Sequence, residues 1–223
     1  SIRDSLSFSD SHLKAIGGAG PYGNAGHGTA YIKKPGQAYG EFIVDGQGQT
    51  TPIDTTLISG DLTFDKLTVQ NGGKMISGGK LTVIGSAVIT GGSTLAADGG
   101  LAANTVLVTG NSVVTHSSGN VSGLAISAAV VQVDAGSAID VKGRGYLGGR
   151  TTDGSGLTLG NVSGSNAGAG GSYGGVGAGY VNRISNRTYG SLQTPDKLGS
   201  GGGNWGGNLG GGDGGGRVTI TAS

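Results

Sequence analysis

Asp140, Lys142, Arg144, Arg150 and Asp153 form the densest charged group in the 223-residue chain. Carboxylates beside basic side chains on one outer face are what cleavage of an acidic polysaccharide needs, as general acid and base or around a bound cation. The group therefore marks a candidate groove for a lyase or hydrolase. The favoured reading of the same residues is plainer: a solvated turn at the exit from a regular strand region. Glu41 is the single glutamate, so a paired-carboxylate mechanism would have to run on aspartates. Asp98, Asp134 and Asp140 stand in or beside turn sequences, where aspartate caps its own backbone.

The aromatic residues are the other group with chemistry. Tyr173, Tyr180, Tyr189 and Trp205 sit on a glycine framework with little to cover them, and such side chains stack on sugar faces or anchor partner surfaces. The competing reading, favoured here, makes them the small core that pins the glycine-rich segment. His12, His27 and His116 are far apart and are expected at the surface, without metal-ligand spacing. No nucleophile elbow, phosphate loop or calcium nonapeptide array is read in the chain, so no cofactor and no metal are expected.

The composition limits what could position these residues. There are 52 glycines, 4 prolines and no cysteine. Collagen needs glycine at every third residue and abundant proline, and neither is present. Interior glycines cost a helix about 1 kcal/mol each, which disfavours helical bundles. Val, Ile, Leu and Thr supply a β-rich alternative. Fourteen basic against thirteen acidic residues, scattered along the chain, provide no stripe for nucleic acid. No apolar run is long enough for a membrane helix, so no membrane insertion is expected. The opening SIRDSLSFSDSHLKAIGG lacks the apolar core of a signal peptide and reads as mature or excised sequence.

An internal repeat sets the expected fold. Leu81-Thr82-Val83, Val106-Leu107-Val108 and Val131-Gln132-Val133 recur at 25-residue intervals. Gly85-Ser86-Ala87-Val88, Gly110-Asn111-Ser112-Val113 and Gly136-Ser137-Ala138-Ile139 keep nearly the same period. Short strands cannot bury an apolar face alone, whereas stacked coils bury it in columns about 4.8 Å apart. The expectation is all-β: a right-handed parallel β-helix (β-solenoid) with coils of about 25 residues, followed by an ordered glycine-rich lobe. Val83, Val108 and Val133 would form one inward column, and Thr82, Leu107 and Gln132 would face outward. A threonine ladder for ice binding is absent from that outward set.

Glycine density divides the chain further. Residues 1–36 read as an N-terminal segment with a glycine-rich tail, the end of a preceding module. Residues 37–142 read as the β-helix, 143–216 as the glycine-rich lobe and 217–223 as a closing strand. Tyr146 and the other embedded aromatics argue for order in the lobe, in which extended threefold glycine chains can pack backbone to backbone. Gly28-Thr29-Ala30-Tyr31-Ile32-Lys33 and Gly216-Arg217-Val218-Thr219-Ile220-Thr221 each place a strand directly after glycine-rich sequence, 188 residues apart.

The succession GGSYGGVGAGY, YGSLQTPDKLGSGGG and GGGDGGGRVTI, after GSAIDVKGRGYLGG, resembles glycine-rich parallel β-helix modules of large bacterial surface or secreted proteins of adhesin type. The resemblance spans roughly residues 38–222 and implies an extracellular or cell-surface location without shared catalytic residues. The function expected is thus non-catalytic: a structural or adhesive module of a bacterial fibre, associating with neighbouring modules or copies of itself, and with surface polysaccharide as a further partner. Glycan binding through the exposed aromatics, and polysaccharide cleavage at the charged group, are the alternatives.

Overall fold

The computed structural model describes residues 15, 19–20, 23–24, 27–47, 55–150, 154–179, 182–191, 193–206 and 210–222. The opening residues 1–14, the loop around Pro52, Asp153 and Tyr180 lie outside the described residues. The secondary structure is all strand among those described, with no helix. In chain order the strands are β1 (Ala19–Gly20), β2 (Gly23–Asn24), β3 (Gly28–Ile32), β4 (Glu41–Asp45), β5 (Thr56–Ile58), β6 (Leu62–Phe64), β7 (Lys66–Gln70), β8 (Lys74–Ser77) and β9 (Leu81–Ile89). They continue with β10 (Thr94–Ala97), β11 (Leu101–Val108), β12 (Val113–Thr115), β13 (Leu124–Val133), β14 (Ala138–Ile139), β15 (Leu157–Thr158), β16 (Val162–Ser163) and β17 (Val218–Ala222). Two compact units result: Ser1–Thr115 with Ala125–Asp140 and Ile220–Ser223, and His116–Leu124 with Val141–Thr219.

The strand unit is not the expected right-handed parallel β-helix (β-solenoid) but two mainly parallel sheets. It holds an eight-stranded sheet, whose path runs β17-β13-β11-β9-β7-β4-β3 with β6 also on β9, and a five-stranded sheet ordered β14-β12-β10-β8-β5. From β4 to β13 the pairing is parallel, and β3 lies antiparallel on β4. Register explains why the repeat misled. Leu81 stands opposite Leu101, 20 residues on, and Thr94 opposite Val113, 19 residues on. The interval is 25 at the two ends of the stack, from Glu41 to Lys66 at one and from Leu101 to Ile126 and Val113 to Ala138 at the other. The last is longer because residues 116–124 belong to the other unit. Carried backward, that single interval joined unlike positions: Gly85-Ser86-Ala87 lies inside β9, and the true precursor of Ser112 is Ser93.

Apolar alternation then builds real columns. Leu81, Leu101 and Ile126 lie opposite one another, and all three are buried. Ile89 and Val108 form a second column, continued upstream by Val69 and downstream by Val133. Val83 stands opposite Ala103, not opposite Val108 as expected. Met75, Leu95 and Val114 are the buried counterparts in the five-stranded sheet. Turn positions are tied by serines: the Ser93 N–H donates to Ser112 Oγ and the Ser112 N–H to Ser137 Oγ, both at 3.1 Å. Asn111 next to them takes a left-handed φ of 62°, which asparagine tolerates better than most residues. Between Val83 and Ser86, β9 has two residues against Asn104 alone in β11, a bulge with Gly85 at its centre.

The glycine-rich unit is held mainly by its backbone. An extended chain with three residues per turn aims successive amides in three directions, so residues three apart meet the same neighbour. Segment 199–204 does this on three sides. Gly199 and Gly202 donate to the carbonyls of Gly215 and Gly212. Gly201 and Asn204 donate to Leu157 and Gly154. The carbonyls of Gly199 and Gly202 accept from Tyr146 and Gly149. The antiparallel pair β15 and β16 is the only ladder among this unit's described residues that lies wholly within it.

Candidate interaction sites

The carboxylates are used mainly as backbone acceptors. Asp65 Oδ2 takes the N–H groups of Tyr39 and Gly40 at 2.9 and 2.7 Å. Asp61 takes the Lys80 N–H at 2.8 Å, and Asp45 takes the Gln47 N–H at 2.8 Å. Asp213 accepts the Gly148 N–H at 2.7 Å and the Arg150 guanidinium at 2.5 Å. Arg150 is thus engaged by a residue 63 positions away. Asp140 ends the strand unit with its N–H on the Val114 carbonyl, while Lys142, Arg144 and Arg150 belong to the glycine-rich unit. Asp153 lies outside the described residues. Among the described residues no three His, Asp or Glu side chains converge as metal ligands.

Ser172 sits in Gly170-Gly171-Ser172-Tyr173-Gly174, which has the glycine spacing of a nucleophile elbow. Its hydroxyl is buried and accepts the Gly177 N–H at 2.9 Å, and no helix follows it. The serine closes a glycine turn.

The aromatic residues separate into pins and one open ring. Tyr173 and Tyr189 meet edge to face at 5.3 Å, both half-buried. The Tyr189 hydroxyl donates to the Leu198 carbonyl at 2.5 Å and accepts from Ser200, whose Oγ lies 2.7 Å from Thr158 Oγ1. Burial pushes the Tyr189 phenol above its usual value of 10.0. The folded unit therefore prefers the neutral ring, and this contribution is full below the unfolded value. It is lost as pH rises from about 10 through the raised folded value. An alkaline titration should show one late phenolate and weakening of the glycine-rich unit in that window, and Tyr189→Phe should remove the late phenolate.

Trp205 is different: 64% exposed, with the Arg183 guanidinium 4.0 Å from its ring centre. Val176 and Ile184 are exposed in the same unit. Tyr180 lies outside the described residues.

His116 corrects the surface expectation for the histidines. It is fully buried, its Nδ1 2.9 Å from the Ser117 carbonyl and its Nε2 accepting the Arg217 N–H at 3.3 Å. With Nε2 accepting, Nδ1 is the nitrogen placed to donate to the Ser117 carbonyl. Gly216 leaves no room for a β-carbon above the ring.

Two features of the strand unit had no sequence signal. One is an open groove of about 380 Å³ beside the β9 bulge, lined by Thr82, Ile84, Ala102, Ala103, Asn104 and Ser127 among others, without an ionisable group. The other is an uncovered end. Leu124 N–H donates to the Arg217 carbonyl at 2.8 Å, the same offset by which Leu81 bonds Gly100 while standing opposite Leu101. Ile220 on this terminal strand is 47% exposed, whereas Leu81, Leu101 and Ile126 are essentially buried. Val133 ends the Ile89–Val108 column at 40% exposure after two residues at 0%. At the opposite end β3 is the terminal strand, antiparallel to β4, with the Ala15 backbone against Gly28. Compared with protein-family models, curated proteins and solved structures, the chain matches none of them.

Proposed function

We propose that this chain is a non-catalytic structural or adhesive module of an extracellular bacterial fibre or adhesin, which associates with copies of itself. The observation that carries the reading is the β17 end of the eight-stranded sheet, where the side chains of Ile220 and Val133 are exposed. Monomeric sheets normally blunt such edges with charge, proline or a covering segment. β17, Val-Thr-Ile-Thr-Ala, carries neither charge nor proline. The use of Asp45, Asp61, Asp65 and Asp213 as turn acceptors supports a scaffold role for the charged residues. The sequence resemblance to bacterial surface modules supports the location.

Sedimentation over a range from about 1 µM to 1 mM tests the reading, since a weak patch of this kind gives Kd values in the upper part of that span. Reversible mass above the monomer is expected. A monomer throughout would contradict it.

A second reading, glycan binding, is favoured by Trp205 alone. An open indole with a cation on one side leaves its edge and other surface for a sugar ring. Binding on a glycan array that disappears in Trp205→Ala would establish it, and equal signals would end it.

A further inference from the structure

We propose that Trp205 and Arg183 form a binding site for an acidic polysaccharide, the indole stacking on a sugar ring and the guanidinium meeting that sugar's carboxylate. The inference rests on the glycan reading above and names its ligand class. Charge is the first support. The glycine-rich unit, His116–Leu124 with Val141–Thr219, carries seven Lys or Arg against three Asp, a net charge of +4. The strand unit holds the remaining seven basic residues against ten carboxylates, a net charge of −3. A whole-chain charge of +1 conceals this split, and the unit that bears the open indole is the one that attracts anions.

Backbone packing sets the two side chains in place before any ligand arrives. The Ile184 N–H donates to Asn166 Oδ1 at 2.7 Å and the Asn166 N–H to the Ile184 carbonyl at 3.0 Å, which anchors the chain beside Arg183. The Gly203 N–H donates to the Ala169 carbonyl and the Asn204 N–H to the Gly154 carbonyl, both at 2.8 Å, which anchors the chain before Trp205. Between these anchors the backbone turns at Ala167 and Gly168, with φ of 40° and 84°. A β-carbon on Gly168 would come within 2.7 Å of Trp205 Cβ, so the turn passes this close only as glycine. Alanine rarely takes a left-handed φ, and such strain concentrates where a site is held ready. The Arg183 guanidinium stacks on the indole by its face, which keeps its N–H donors in the plane of the fork. An acidic sugar supplies both counterparts, an apolar C–H face for the indole and a planar carboxylate for the fork. Because ring and cation are already paired, less side-chain freedom is lost on binding.

Trp205 is the single tryptophan, so its emission reports the site itself. Titration of polygalacturonate, alginate and hyaluronate into the full chain, each beside its carboxyl-reduced neutral form, tests the proposal. At least one acid form should give a saturable change in emission, with binding about tenfold weaker for its neutral form. Arg183→Gln should weaken that binding about fivefold or more. Lys197→Gln removes the same charge beyond the other end of segment 199–204 and should change it by less than about twofold. Trp205→Ala, followed by calorimetry, should abolish it, and unchanged amide exchange of residues 166–169 and 199–204 would show that the variants keep their fold. Equal losses in Arg183→Gln and Lys197→Gln would reduce the effect to net charge and overturn the site. Equal, Trp205-dependent binding of acid and neutral forms would overturn the acidic class and leave the glycan reading standing. No response to any acid form would overturn the proposal, while a Trp205-dependent signal elsewhere on a glycan array would still uphold the glycan reading.

Discussion

Alanine at Gly214 is expected to unfold the glycine-rich unit, and alanine at the adjacent Gly215 to leave it folded. A β-carbon on Gly214 would fall inside the Gly199 carbonyl, a backbone group with no freedom to retreat. The same holds for Gly211 against the Gly202 carbonyl and for Gly201 against the Leu147 carbonyl. At Gly215 and Gly212 a β-carbon meets nothing within 4 Å, and neither has a left-handed φ. Forced separation of the packed chains breaks several of the threefold hydrogen bonds at once. The loss should be on the order of 3–5 kcal/mol for Gly201, Gly211 or Gly214. Gly212→Ala and Gly215→Ala should lie within about 1 kcal/mol of wild type, because alanine also lowers the entropy of the unfolded chain. Urea unfolding with amide exchange of residues 199–216 distinguishes the two sets. Equal tolerance at Gly214 and Gly215 would refute close backbone packing.

Leu101→Ala should cost the strand unit about 3–4 kcal/mol, and Ile220→Ala less than about 1 kcal/mol. Leu101 lies between Leu81 and Ile126 in one column, so its removal leaves a cavity with walls fixed by parallel ladders. Ile220 on the terminal strand stands half in solvent, and truncation there opens no void. Thermal unfolding of the two variants at low protein concentration checks the contrast. Similar losses would mean that Ile220 is covered within the single chain.

The fold was legible in the sequence only where local pattern decides the outcome. Apolar-x-apolar triplets mark strands, and Leu81-Thr82-Val83 and Val106-Leu107-Val108 are strand segments with their middle residues less buried than the flanks. Their stacking order was not legible. Two triplets can occupy one long strand, as Leu81-Thr82-Val83 and Ala87-Val88-Ile89 do in β9, and the sequence does not mark the fold-back. The departure of residues 116–124 into the other unit stretched the last interval to 25, the same as the first from β4 to β7, and disguised the 19–20 residue spacing between them.

The candidate sites fared according to the range of the interactions that define them. Asp61, Asp65 and Asp213 find their backbone donors 19, 26 and 65 residues away, distances that turn chemistry cannot reach. His116 is surrounded by polar turn sequence and still buried, because Gly216 and Arg217 return to it from 101 residues downstream. Tyr189 and Trp205 look alike in sequence. One is tied into a hydroxyl chain with Ser200 and Thr158, and the other is left open beside Arg183. Glycine sequence alone does not record which chain will lie above which.

The central claim is that the uncovered end of the strand unit joins copies of this chain. Sedimentation equilibrium on wild type, Ile220→Lys and Leu57→Lys tests it most directly. Both substitutions place a cation at an exposed strand position, so both chains should fold. The account predicts reversible association for wild type and Leu57→Lys, and a monomer for Ile220→Lys at concentrations at least tenfold higher. Equal masses for all three chains, whether monomeric or associated, would contradict it.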